Sequence, residues 1–376
     1  MSNAMTDQST KSQGGFSAHD HGDLSSLAEL NKENNPHLVV LPSGFHAINL
    51  RQMLSVADKH NFGVVAINQR NKYIMRATLE AAWQIKSPVI LEIAESETSY
   101  CNMEPARLAK FAHEIIQEMI DKYGYAVPVG LHHDHVQKDL EGCTQRSIEA
   151  GFTSILIDLS KRSLEENIAG CIEIAKKIYP LGVDLEVEEG VVHSVGSEDA
   201  ERIAADVENY YTKVEDMEKI MRETGATGAS CFIGNQHGVY KEENPRIGYD
   251  RLKEITEAIR PYNAYPVMHG GSGLKPEQFQ ILVNNGARKI NYATSVQNIF
   301  FKHLPQELLD RMDAKGEEMG RPRRKVYMLF EEEVDQMDHT AAMDEMTEHL
   351  KMMMTEAFNS ADTAKHYAEG LDFLNL

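Results

Sequence analysis

The sequence predicts an α/β protein, a (β/α)8 barrel with a helical C-terminal extension. After Pro36, short β-branched apolar runs alternate with longer segments of helical period, and eight such runs can be counted. Eight βα units in ~250 residues match the arithmetic of such a barrel. No G-x-G-x-x-G follows the first run, so the competing open, doubly wound sheet lacks its usual fingerprint.

In order, the runs are Gly63 to Ile67, Pro88 to Ile93, Ala126 to Leu131, Thr153 to Ile157, Val183 to Val187, Ala229 to Ile233, Tyr265 to Met268 and Arg288 to Asn291. Helical period fills the gaps. Between Pro105 and Tyr123, for example, Leu108, Phe111, Ala112, Ile115, Met119 and Ile120 fall close to one stripe. The connection from Glu189 to about Tyr211 is polar and too long for a βα turn, and is expected to be a mobile lid or a disordered insertion. Residues 1–36 are expected to form a disordered tail whose Met1 to Ala4 reads as a tag remnant, 37–305 the barrel, and 306–376 the extension. The extension opens with Arg321, Arg323, Arg324 and Lys325. Met337, Met343, Met346 and Met353 then offer a packing stripe for docking on the barrel or on a second subunit.

Composition narrows the partners. A formal charge of -20 opposes nucleic acid and anionic membranes. No apolar run approaches the ~20 residues that span a bilayer, and there is no secretory h-region. Cys101, Cys143, Cys171 and Cys231 lack CxxC or framework spacing, as reduced cytoplasmic thiols do.

Functional groups of a barrel gather at the C-terminal ends of its strands. Strand three ends in Leu131-His132-His133-Asp134-His135, strand six runs into Gly234-Asn235-Gln236-His237-Gly238, and strand seven ends at His269. A lone histidine in such a place is more often structural than a ligand. Three after different strands can share one centre, and three neutral nitrogens with an open position make a Lewis-acid zinc site. Asp158 closes strand four, and period-two alternation puts Glu186 and Glu188 on one inward face, either to orient the histidines or hold a second or vacating ion, or to ligate the catalytic metal directly. Gly270, Gly271, Ser272 and Gly273 after strand seven, with Asn291, Ala293 and Thr294 after strand eight, offer backbone amides and hydroxyls at two helix N-termini. Such paired loops suit a small phosphorylated substrate.

With these pieces assembled, the sequence resembles the class II, zinc-dependent ketose-bisphosphate aldolases, from about Gly63 to Thr294. The motifs, in the family's order, are FGVVAIN from Phe62, KSPVIL from Lys86, HHDH from His132, AGFTSILIDLS from Ala150, LEVEEG from Leu185, GNQHGVY from Gly234, HGGSG from His269 and KINYAT from Lys289. The resemblance implies reversible aldol cleavage of a phosphorylated ketose to dihydroxyacetone phosphate, or a close relative, and an aldehyde. It implies one catalytic Zn2+ per chain on His135, His237 and His269, with Asp158 and Glu188 at an alternative, buried metal position. Asp134 would handle the proton of the aldehyde oxygen and Glu198 the carbon-bound proton, with Glu189 a rival for the latter. Asn68, Gly238 and Arg324 would join the two loops in binding substrate. A homodimer or homotetramer is expected.

Cleaving the bond beside a carbonyl leaves an enediolate, which zinc can stabilise, and a carboxylate is needed at each end for proton transfer. A Schiff-base route would need an inward lysine at a strand's mouth, and Lys289 lies at the start of strand eight. The departures from the family fall at the aldehyde half: Glu92 and Ala94 stand where Gln and Ser are common, and Glu95 and Glu97 follow. These carboxylates are expected to oppose a second phosphate and to favour a ketose 1-phosphate or an otherwise altered acyclic sugar over fructose 1,6-bisphosphate. Two other classes compete with the aldolase, a metal-dependent sugar-phosphate isomerase or hydrolase on the same barrel and a non-catalytic related subunit. The last should lack catalytic ligands, and the three histidines are present.

Overall fold

Strands buried on both faces read as nearly continuous apolar runs, and each of the eight runs forms one. The computed structural model describes residues 27–238, 240 and 245–367. Its strands are β1 (Val64–Asn68), β2 (Val89–Ala94), β3 (Val129–Val136), β4 (Ser154–Ile157), β5 (Asp184–Glu189), β6 (Gly228–Cys231), β7 (Tyr265–Met268) and β8 (Lys289–Asn291). Consecutive strands pair in parallel, and β8 returns to β1 through Val64↔Lys289, Val65↔Ile290 and Ala66↔Asn291, which closes the barrel.

The helices surround it. α1 (Leu50–His60) precedes β1, and the helices that follow the strands are α2 (Lys72–Gln84), α3 (Pro105–Tyr123), α4 (Leu140–Glu149), α5 (Leu164–Ile178), α6 (Val214–Thr224), α7 (Tyr249–Ile259), α8 (Pro276–Asn284) and α9 (Thr294–Lys302). Local chemistry sets their ends. α5 starts at a capping box in which Ser163 and Glu166 satisfy each other's backbone N–H, and α3 stops at Gly124 in the left-handed region. The stripe expected on α3 is buried except for Phe111, which is half-buried.

The extension comprises α10 (Gln306–Met319), short turns and α11 (Thr340–Met352). α11 lies on α2, where Thr347 Oγ1 donates to the Ala77 carbonyl at 3.4 Å. Of the methionine stripe, Met346 and Met353 are buried, while Met337 and Met343 are half-buried against the same core. At the other end, residues 27–36 lie against the barrel: the Ala28 N–H donates to the Tyr179 carbonyl, and Leu30 is buried against Gly182. The remainder of the expected tail, 1–26, and the end of the extension, 368–376, lie outside the described residues.

Three expectations change. Strand three carries the His-His-Asp-His motif on the strand itself, reaching Val136, because its polar side chains find partners: His132 Nδ1 meets Ser154 Oγ at 2.9 Å and His133 Nδ1 meets Ser147 Oγ at 2.6 Å. Strand six stops at Cys231, since the chain turns at Gly234, where a Cβ would lie 2.2 Å from the Arg246 carbonyl oxygen. The long connection is folded: His193–Ser194 pairs with Gln236–His237, a short helix spans Glu198–Ile203, and Val192, Ile203, Val207 and Phe232 form a small core of their own.

Candidate metal and substrate centre

The site begins with a distortion of β3. The register against β4 shifts between His133 and Val136, and His135 has a backbone φ of +45°, in the left-handed region that non-glycine residues seldom enter. The bulge turns His135 toward the strand ends, where its ring meets those of His237 and His269 at centroid distances of 5.3 and 4.5 Å. One nitrogen from each of the three lies within 4.8 Å of the others.

Hydrogen bonds at the back of the rings decide which nitrogens face the centre. Nδ1 of His135 is 3.0 Å from Asp158 Oδ2, and Nε2 of His269 is 3.2 Å from Glu186 Oε1, so each carboxylate takes one ring N–H and the other nitrogen faces the centre, where that of His135 can bind a metal once it gives up its proton. Those two nitrogens, His135 Nε2 and His269 Nδ1, are 3.0 Å apart. Two ligands at ~2.0–2.1 Å from one tetrahedral ion would stand about 3.3 Å apart, so the donor set fits a divalent metal. Asp134 Oδ1 and His132 Nε2 lie buried beside it without hydrogen-bond partners.

Electrostatics follow from burial and from the carboxylates. Burial pushes His237 down to about 4 and His269 well below the usual imidazole range, which keeps both as neutral ligands. His135 is held well above that range: burial opposes its charge, but Asp134, Glu188 and Asp158 outweigh it. Glu188, with Oε2 at 3.4 Å from His135 Nδ1, is raised to about 8 by burial and then by Asp158. Asp158 is driven the other way despite its burial, by His135, Ser160 and Gln137. His135, Asp158 and Glu188 make a second group able to hold an ion, and Glu92, His132 and Asp134 a third.

Beneath the histidines lies a layer that the sequence reading missed. Lys289 is fully buried, with Nζ at 3.1 Å from Glu92 Oε2 and 3.0 Å from Glu186 Oε2. Burial disfavours its charge, but Glu186 and Glu92 prevail and hold the ammonium protonated, the opposite of what a Schiff-base lysine requires. Period-two alternation from Asn291 already puts Lys289 on the inward face. Its carboxylate partners come from β2 and β5, and only the closed barrel brings them to it.

This corrects the expected charge at the aldehyde half. Glu92 faces Lys289 and the Asn291 amide. Glu95 accepts backbone N–H groups from Gln137, Lys138 and Asp139, and Glu97 pairs at 2.6 Å with buried Arg70, which also donates to Gln297 Oε1 at 2.7 Å. None of the three stands without a counterpart, and Arg70, two residues beyond β1, went unread.

The other expected residues fall as follows. Asp134 Oδ2 is 3.9 Å from His135 Nε2, and Asn291 Nδ2 is 3.4 Å from His269 Nδ1, so both border the cluster. Gly238 follows His237, and Gly270, Gly271, Ser272 and Gly273 lead into α8. A Cβ at Gly270 would lie 2.2 Å from the Gln236 carbonyl oxygen, so that loop can approach the strand-six loop only as glycine. Ala293 and Thr294 sit at the start of α9, and Asn68 ends β1 opposite Glu92. Glu198, opening its short helix, and Arg324, in the turn Arg323–Lys325, are exposed and belong to none of the gathered groups. Glu189 is tied to Asn167 of α5 at 3.1 Å, away from the inward face of β5.

The family model "Fructose-bisphosphate aldolase class-II" matches residues 48–364. The chain belongs to that family. Among curated members, the fructose-bisphosphate aldolase of Geobacillus stearothermophilus is 31% identical over 278 residues, 74% of this chain and 89% of its own length. That of Giardia intestinalis is 30% identical over 328 residues, 85% of this chain and 94% of its own. The crystal structure of a putative fructose-1,6-bisphosphate aldolase from Coccidioides immitis superposes with a TM-score of 0.62 at 23% identity, covering 84% of this chain and 98% of that one. The YdjI aldolase of Escherichia coli K12 gives 0.59 at 22% identity, covering 84% and 99%. These two share the closed barrel fold, and the chain is a class II aldolase, a carbon–carbon lyase.

Proposed function

We propose that this class II aldolase cleaves a phosphorylated ketose to dihydroxyacetone phosphate and an aldehyde, using one zinc ion per chain held by His135, His237 and His269. The observation that carries the proposal is the facing pair of ring nitrogens, His135 Nε2 and His269 Nδ1, each oriented by a carboxylate behind its ring. When bound, zinc supplies Lewis acidity toward the oxygens of the ketone half.

The chain's own groups do the rest. Asp134 takes the proton from the hydroxyl that becomes the aldehyde: burial opposes its charge, but His135, His269 and Lys289 hold its carboxyl below the usual range, so it is an ionised base at neutral pH. Glu198 returns a proton to the carbon of the ketone half. Its segment is hinged on the strand-six loop through the pairing of Ser194 with His237, which supports a closure over substrate. The ketone-side phosphate rests on Gly238, Gly270, Gly271, Ser272 and Gly273, and on Asn291, Ala293 and Thr294, at the start of α8 and α9. Asn68 and Arg324 serve the aldehyde half. Asp158 and Glu188 hold His135 and offer the alternative ion position.

A cytoplasmic homodimer or homotetramer completes the reading. Exposed Met328 and Leu329 beside the basic turn support a subunit contact there, and no helix among the described residues is long and apolar enough to cross a membrane.

The test is retro-aldol cleavage by chelator-stripped and zinc-restored protein. Fructose 1,6-bisphosphate, whose name the relatives carry, is tried first, because the expected charge objection has gone; ketose 1-phosphates follow. Release of dihydroxyacetone phosphate that depends on restored zinc is expected. No release from any member of the panel would overturn the proposal.

A further inference from the structure

The loops that carry His237 and His269 are stitched together by their own groups. Asn235, fully buried, accepts the Ile233 N–H through Oδ1 at 2.8 Å and donates through Nδ2 to the His269 carbonyl at 3.1 Å. Gly270 packs directly on Gln236, where a Cβ would lie 2.2 Å from that residue's carbonyl oxygen and 3.0 Å from its nitrogen. The third stitch is Tyr240. Its hydroxyl accepts the Gln236 N–H at 2.9 Å, which leaves its own hydrogen for the Gly270 carbonyl, also at 2.9 Å. A backbone N–H only donates and a carbonyl only accepts, so the group between them must do both, as a phenol does. The Tyr240 ring packs against the main core, which holds that hydroxyl in place.

We propose that Tyr240 is a positioning residue that couples two binding events, so that a divalent metal on His237 and His269 and a phosphate on the Gly270 to Gly273 loop each tighten the other. The inference rests on the aldolase reading above, which puts the metal and the phosphate there. One hydroxyl joins the residue before the first histidine to the residue after the second, and Gly270 also opens the glycine loop. The route onward is a single peptide. The Gly270 carbonyl and the Gly271 N–H are opposite ends of one planar trans unit, so pinning the oxygen aims the N–H that the loop offers to an anion. Settling His237 on an ion steadies Gln236, and through Tyr240 it steadies that peptide. The first ligand bears the cost of ordering the shared unit and the second is spared it, whichever comes first. Asn235 reaches only as far as His269, so it supports the metal without extending to the glycine loop.

The experiment is calorimetric binding of inorganic phosphate to chelator-stripped and zinc-loaded protein, for the parent and for Tyr240→Phe. In the parent, zinc tightens phosphate roughly fivefold or more, and phosphate tightens zinc by the same factor in a chelator competition. Tyr240→Phe removes one oxygen and keeps the ring, and the stripped and loaded forms then bind phosphate nearly alike. A Tyr240 that only supported the fold would lower the melting temperature and leave the factor as it is. A factor that survives the substitution, as direct contact between phosphate and zinc would give, overturns the proposal. So does a parent whose phosphate affinity is indifferent to zinc. If Tyr240→Phe does not fold, hydrogen exchange at the Gln236 N–H of the stripped parent decides: phosphate must slow it, and unchanged exchange overturns the proposal. A parent that takes up zinc but no phosphate overturns the proposal alone. One that takes up neither overturns it together with the aldolase reading, which separates that failure from the others.

Discussion

Two buried polar layers sit one above the other in the barrel, and they are built on opposite terms. In the lower one, Lys289 is shared between Glu92 and Glu186, so the set carries its own cation. The upper one has His135, His237 and His269 with Asp134, Asp158 and Glu188, a collection of lone pairs and carboxylates whose counter-charge has to arrive from solution as a metal or a proton. The lower layer is fully buried, whereas His135 and His237 of the upper one keep some exposure. An internal cation makes a cluster structural, and its absence makes a cluster a binding site.

The largest effect should come from emptying the upper layer. His269→Ala is expected to reduce zinc, measured by atomic emission, from about one ion per chain to a small fraction, and kcat/KM for the best ketose phosphate by roughly 10⁴-fold, since Lewis-acid stabilisation amounts to several kcal/mol. Full metal and activity would erase the distinction between the layers. In the lower layer, Lys289→Met leaves two carboxylates buried without their cation. It should cost ~3–5 kcal/mol in denaturant unfolding, and a loss below ~1 kcal/mol would mean that the layer is not held by its lysine.

Next come the proton carriers. Asp134→Ala should keep zinc and fold while turnover falls ~10²-fold or more; near-normal turnover would remove Asp134 from the chemistry. Glu198→Gln should slow hydrogen exchange at the carbon of dihydroxyacetone phosphate more than it weakens binding, and unchanged exchange would pass that role to another group. The smallest effect is on the metal itself. Asp158→Asn, which weakens the support behind His135, should lower zinc affinity ~10- to 100-fold. In the parent, His135 is held protonated without metal, so binding must release that proton, and affinity should rise with pH by up to about tenfold per unit below the raised value. An affinity that does not rise with pH would show that His135 carries no proton for the metal to displace.

Much of this was legible along the chain. The strands announce themselves because both of their faces are buried, which leaves β-branched runs between helical stripes. The histidines do so because each follows a different strand. What stayed hidden depends on register across the closed sheet. Glu92 reads as an uncompensated charge at the aldehyde end until the pairing of β8 with β1, and of β1 with β2, brings Lys289 and Asn291 beside it. Arg70 was obscured in the same way, since Glu97, in the short helix Glu95–Thr98, and Gln297 of α9 are remote from it in sequence. The connection after Glu189 read as irregular because its apolar residues are few, yet Val192, Ile203, Val207 and Phe232 suffice for a small core once Phe232 is contributed from beyond β6.

The left-handed backbone at His135 sets two kinds of selection against each other. A non-glycine residue there costs ~1–2 kcal/mol relative to one at ease in that region. Glycine would remove the strain and, with it, one metal ligand. A laboratory population selected only for heat resistance, in medium stripped of divalent ions, would shed that strain by drifting to His135→Gly but would lose the partner that offsets Asp134, Asp158 and Glu188, so charge as well as metal binding holds histidine in place.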